Sequence, residues 1–204
     1  MLMHAHWAMI VSCFAPHQNG GDPGANEPPG EANGHDPDLA ASEQQVLTVD
    51  DPGRSIDVVI AALASAPMDI GRLIEGKTDA ELTRPAQDGG WGMVEILPHL
   101  RDWEEIIGDR LSLILAGDSP LFEEYDDSLW AIEHGYRDQD PRQAFQDFTE
   151  RRAALVERLG ALAPDAWNRV GVLPKRGRVT LHWLMNSICG HDAKHVVQTR
   201  DVLA

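Results

Sequence analysis

Positive charge is scarce in this sequence. Its 204 residues include 17 Lys and Arg against 33 Asp and Glu, a formal charge of −16. Nucleic acid binds through Lys and Arg that neutralise phosphates, so this balance argues against it. The same deficit argues against an anionic membrane surface. Cysteine is nearly absent. Cys13 and Cys189 cannot build a disulfide framework, and Cys189, in an apolar stretch, reads as a small buried hydrophobe. No apolar run reaches the ~18 residues that a membrane span needs. No Lys or Arg precedes Arg54, so the stretch Ile10-Val11-Ser12-Cys13 lacks the basic flank of a secretory signal and the expected location is cytoplasmic. The paired Glu-x-x-His motifs of a di-iron bundle are also missing.

What is there divides near residue 50. Between Pro16 and Asp38 almost half the residues are Gly or Pro, without apolar periodicity. Such a segment buries too little surface to offset its ordering entropy, so residues 1–50 read as a disordered tail and 51–204 as one folded domain. From Ser55 on, the i, i+3, i+4 spacing of helices takes over. Ile56, Val59, Ile60, Leu63, Pro67, Ile70, Leu73 and Ile74 form the first face, and Pro67 is expected to kink or split that helix. Thr78 is placed to cap a short turn. A second helix runs from about Trp91 to Ala116. The acidic span Ser119 to Asp140 stays unassigned. Asp140-Pro141 opens a third helix, carrying Phe145, Phe148, Leu155, Leu159 and Leu162. Pro174 to Arg178 reads as a basic, hairpin-like turn before a last helix that starts near Thr180. Four helices without convincing strands predict an all-α bundle.

Histidine carries the chemistry. In His191-Asp192-Ala193-Lys194-His195 two imidazoles lie four apart, on one helix face about 5–6 Å from each other. They share a line with Leu184, Ile188, Gln198 and Val202, so they sit where core residues are expected. His99 flanks the apolar face of the second helix. Together His99, His191 and His195 offer three inward imidazoles, the ligand count of an open catalytic metal site. His182 lies on the opposite face, and His134, in the unassigned span, is placed to approach from the side as a substrate-binding residue. Asp102 and Glu95, three after and four before His99, are candidates to orient that ring or act as a base, against the plainer reading of exposed helix carboxylates. Asp192 is expected to serve the helix surface or a salt bridge. Arg152 interrupts the third stripe. Its guanidinium either binds a carboxylate of a substrate or thiol cofactor, snorkels, or pairs with an acidic neighbour.

Trp91-x-x-x-Glu95-x-x-x-His99-Leu100, followed by Thr180-Leu181-x-x-Leu184 and His191-Asp192-x-x-His195-x-x-Gln198, resembles the DinB-like superfamily of damage-inducible, metal-dependent proteins over roughly Arg54 to Val202. The resemblance implies an up-down-down-up four-helix bundle, often a homodimer, with zinc or nickel on His99, His191 and His195. It also implies a small-molecule substrate, with bacillithiol- or mycothiol-dependent S-transferases and a mycothiol-dependent maleylpyruvate isomerase among its relatives. Pro98, directly before the first ligand, departs from a regular helix. Two function classes follow: a metal-dependent thiol S-transferase or hydrolase, and a non-catalytic metal-binding stress or scaffold protein. A protein shell closed by a fourth ligand would favour the second.

Overall fold

The structure, a computed structural model, describes residues 54–204. The tail expected over residues 1–50 lies outside them. Six α-helices follow in order: α1 (Ile56–Ile74), α2 (Asp79–Leu82), α3 (Met93–Ala116), α4 (Asp127–Glu133), α5 (Pro141–Gly160) and α6 (Leu181–Leu203). A two-stranded antiparallel hairpin, β1 (Val170–Leu173) and β2 (Gly177–Thr180), precedes α6. None of the described helices is long and apolar enough to cross a membrane.

Local chemistry sets the ends of these elements. Ser55, Asp126, Asp140 and Thr180 each accept from backbone N–H groups of the first turn that no helical carbonyl can reach. Thr78 and Glu81 form the reciprocal capping box of α2. At α3 the Glu95 carboxylate accepts from the Gly92 N–H at 2.8 Å.

Pro67 does not split α1, which runs unbroken through it. A proline in mid-helix orphans the carbonyl four residues back. Here that carbonyl belongs to Leu63, and Arg152 of α5 donates to it at 2.9 Å. The defect is satisfied from another helix.

The helix directions follow from contacts. Arg151 reaches the carbonyl of Arg101, and Arg158 reaches Ser112, so α3 and α5 run parallel. Cys189 meets the carbonyl of Val59, and Lys77 meets that of Leu203, so α1 and α6 run parallel. Leu63 pairs with Arg152 while Gly71 packs under Phe145, so α1 opposes α5. The bundle is therefore up-down-down-up over α1, α3, α5 and α6.

Parallel neighbours force a long return. The chain leaving α3 must travel back up the bundle before α5 can begin. Residues 117–140 make this crossover along α3. Arg110 lies over the rings of Phe122 and Tyr125, Trp103 donates to Asp127, Trp130 to Asp102, and Arg137 to Glu95. The acidic span unassigned from sequence is this strap, and α4 is its short helix.

At its start the strap pairs with β1: Phe122 N–H donates to Val172 O at 2.9 Å, and Val172 N–H to Pro120 O at 2.8 Å. The Phe122 ring packs against Gly171, where a Cβ would come within 2.2 Å of the ring. Gly171→Ala is expected to destabilise the fold by about 1–3 kcal/mol, the usual cost of overpacking, read as a lower urea midpoint.

The core comes in two blocks. One holds Leu63, Ile107, Leu111, Leu155, Leu159, Leu184 and Met185. The other holds Ile70, Ile74, Met93, Ile96, Leu97, Leu100 and Phe148. Between them, at the level of residues 64–69, 101–106, 149–154 and 190–195, the buried residues include Glu104, Arg152 and Asp192.

Candidate metal centre

His99 projects from α3, and His191 and His195 from successive turns of α6. His191 Nε2 lies 3.0 Å from His99 Nε2 and 3.1 Å from His195 Nε2. His99 is 2% exposed and His195 5%, while the His191 side chain keeps 18% of its surface in solvent. Trp91 sets its ring against His99 at 4.9 Å between centroids, and Trp103 against His191 at 5.3 Å.

Three neutral imidazoles satisfy this arrangement only in part, because His191 Nε2 meets two ring nitrogens and carries at most one N–H. Each carries one N–H and one lone pair. His195 Nδ1 lies 2.9 Å from Gln198 Oε1, an acceptor, so that nitrogen bears the proton and Nε2 is bare. One N–H can bridge only one of the two Nε2 contacts, and the other brings two nitrogens together with no proton between them in a largely dry place. A divalent cation at the usual ~2.0–2.1 Å from each nitrogen resolves the conflict, and the donor set fits one. Among the described residues, the His/Cys/Asp/Glu group that brings ligand atoms together is His99, His191 and His195, with no carboxylate or thiol in it.

Burial pushes the imidazole of His99 well below its ordinary value, and the neighbouring His191 and His195 push it further. Burial likewise pulls His195 down to about 3, with His191 adding to the effect. A depressed pKa favours the neutral, ligating form. Protons therefore displace a metal from these two nitrogens only far below pH 6.5. Three ordinary imidazoles would lose ~10³-fold in metal affinity between pH 7.5 and 5.5, about tenfold each. With His99 and His195 held neutral across that window, the expected loss is far smaller than thousandfold, measured by chelator competition. A thousandfold loss would contradict the burial of the site.

The remaining candidates lie elsewhere. Glu95 spends Oε2 on the Gly92 N–H and Oε1 on Arg137 at 2.7 Å. Asp102 accepts from Arg101, Trp130 and Tyr136, with His134 Nδ1 at 3.3 Å. Burial raises its pKa, but the bonds from Arg101, Trp130 and Tyr136 and the charge of Arg101 hold it below the ordinary value. Both carboxylates fasten the strap to α3, and neither bonds an imidazole of the cluster. His134 opens onto a shallow groove with Arg101, Trp130, Gln139 and Arg151.

Arg152 takes the last of the three readings weighed for it, pairing with acidic neighbours. It binds Glu104 at 2.9 and 2.5 Å, Asp192 at 2.6 and 3.3 Å, and the Leu63 carbonyl. All five N–H donors are used and the residue is 2% exposed. Asp192 is thus buried rather than on the surface, and its Oδ1 lies 3.6 Å from His191 Nδ1.

Two residues beside the cluster had no assigned part in the sequence. Trp103, four after His99, was legible from helical spacing. Asp127 was not, because it arrives on the strap. Its Oδ1 accepts from Trp103 Nε1 at 3.0 Å and lies 3.9 Å from His99 Nδ1.

An up-down-down-up bundle with three convergent histidines on its second and last long helices defines a class of helical proteins built around a candidate divalent-metal site. Residues 62–198 match the model of the DinB superfamily, and the chain belongs to that family. A Bacillus subtilis (strain 168) protein named "Putative metal-dependent hydrolase YfiT" is 28% identical over 106 residues, 50% of this chain and 60% of that protein. A Geobacillus thermodenitrificans (strain NG80-2) protein named "Putative metal-dependent hydrolase" is 31% identical over 72 residues, 35% of this chain and 40% of its own length. The matches thus span less than two thirds of these relatives. The solved structure of YfiT from Bacillus subtilis, described as a probable metal-dependent hydrolase with an unusual four-helix bundle topology, superposes with a TM-score of 0.69 at 21% identity. It covers 78% of this chain and 91% of that one, a likeness of fold.

Proposed function

We propose that this protein is a metal-dependent enzyme that delivers a nucleophile, water or a low-molecular-weight thiol such as bacillithiol or mycothiol, to a small electrophilic substrate. The observation that carries this reading is the meeting of three imidazole nitrogens from two helices without a fourth protein ligand among the described residues. Structural zinc closes its shell with four protein ligands, whereas catalytic sites keep a position open. An ion there, zinc or nickel in this reading, would lower the pKa of a nucleophile and polarise an electrophile.

The chain's own residues prepare that chemistry. Neutral imidazoles leave the full cationic charge in place. Gln198 holds the His195 proton on Nδ1 and so directs the Nε2 lone pair inward. Trp91 and Trp103 screen the cluster from water, which strengthens charge interactions inside it. His191 is the most exposed of the three and marks the side open to substrate.

The names of the relatives favour water over thiol as nucleophile. The test is metal analysis of the purified protein. Metal-loaded protein is then assayed on activated esters and amides, and on alkylating electrophiles with several thiols. Turnover that needs the ion but no thiol identifies a hydrolase; turnover that needs both identifies a transferase. Tight metal binding with no turnover in either assay would leave a non-catalytic metal protein.

A further inference from the structure

We propose that Asp127 is a positioning residue of this centre, holding His99 through Nδ1 so that Nε2 keeps its lone pair toward the other two histidines. The proposal rests on the reading of the cluster as a metal site. A metal-ligating histidine almost always gives its second N–H to a carboxylate, carbonyl or water, which fixes its tautomer and ring angle. Here the outer nitrogen of His195 is hydrogen-bonded to an oxygen, and those of His191 and His99 each have a carboxylate oxygen nearby but beyond direct bonding range. His195 Nδ1 has Gln198 Oε1 at 2.9 Å, His191 Nδ1 has Asp192 Oδ1 at 3.6 Å, and His99 Nδ1 has Asp127 Oδ1 at 3.9 Å.

Asp127 is itself held in place. The indole N–H of Trp103 donates to the same oxygen at 3.0 Å, and the Asp126 carboxylate caps the turn that Asp127 opens. The remaining gap to His99 is the width that one water bridges or a small ring rotation closes. Asp102, the carboxylate that helical spacing offers to His99, is occupied with Trp130, Tyr136 and Arg101. The outer position at His99 falls to a residue 28 places further along, carried in by the strap.

Two readouts test this. The first is zinc affinity by chelator competition. Asp127→Ala should bind zinc about 10–100-fold more weakly, the usual loss when an outer partner is removed. Asp127→Asn, which keeps an acceptor oxygen, should stay within about threefold of the parent, as that rule implies. Asp126→Ala removes the cap of α4 without touching His99 and should also stay within threefold. Unchanged affinity in Asp127→Ala, or an equal loss in Asp126→Ala, would overturn the proposal.

The second readout needs no metal: ¹⁵N shifts of the histidine rings in the metal-free protein. His99 is expected as the Nδ1–H tautomer in the parent and in Asp127→Asn, and as a mixture in Asp127→Ala. A parent that binds no zinc but shows this change would sink the metal reading and keep the positioning role. A tautomer indifferent to Asp127 would sink the role itself.

Discussion

His191→Ala is expected to abolish tight divalent-metal binding at the three-histidine cluster while leaving the bundle folded. His191 is the middle ligand, since its Nε2 lies 3.0 and 3.1 Å from the other two. Its loss leaves two imidazoles, one on each of two helices, with no third donor from the described residues to replace it. Structural zinc sites bind with about 10–16 kcal/mol from four ligands, so losing one of three protein ligands should cost on the order of 10³-fold in affinity. The fold should tolerate the change. The side chain is partly exposed, and its removal relieves the nitrogen contact that no proton bridges in the metal-free state. Metal content by mass spectrometry and helix content by circular dichroism are the two measurements. Parent-like metal retention in the variant would show that the three nitrogens do not form the site.

Arg152→Met should be the most damaging substitution to stability. Arg152 contacts all four long helices: its own α5, Glu104 on α3, Asp192 on α6 and the Leu63 carbonyl on α1. Removing it buries two uncompensated carboxylates and re-orphans the carbonyl that Pro67 frees. Breaking one side of a buried ion pair costs about 3–5 kcal/mol, and half the stability of a typical domain is of that size. Burial lifts the Glu104 carboxyl above its ordinary pKa even with Arg152 beside it. Asp192 is likewise pushed up by burial, but bonds and charge from His191 and Arg152 carry it below its ordinary value. In the variant Glu104 should therefore take up a proton first. Replacing all three charged residues by apolar ones of matching volume should cost much less than Arg152→Met alone. Equal urea midpoints for Arg152→Met and the parent would show that the network fastens nothing.

The helices were legible because their apolar stripes repeat at the helical period, and their starts because Asp140-Pro141 and Thr180 are strong caps. The three histidines were legible for the same reason: they occupy core positions of two such stripes. The split offered for Pro67 does not occur, and the sequence hid the reason: Arg152, 89 positions after Leu63, meets the carbonyl that Pro67 frees. The strap was opaque for a different reason. α4 buries no residue, so no stripe marks it. It is held by single polar and cation–π contacts to Trp103, Asp102 and Arg110, which leave no periodic signal. Asp127 was hidden with it. For Asp102 and Glu95 the sequence left an exposed reading beside a role at the site, and the structure buries both against the strap; helical spacing says which residues share a face and not which partner claims a carboxylate first.

Because α1 lies beside α6, the two ends of the described chain close the bundle together. Cys189 meets the carbonyl of Val59 across 130 positions, and Lys77 meets that of Leu203 across 126. A ribosome makes the chain in order, so Val59, Leu63 and Ile70 leave it long before α6 exists to cover them. The partial chain must carry that oily surface, a natural foothold for a holding chaperone, until the last helix emerges. The same helix brings His191 and His195, so the three-histidine cluster cannot assemble before α6 has been made.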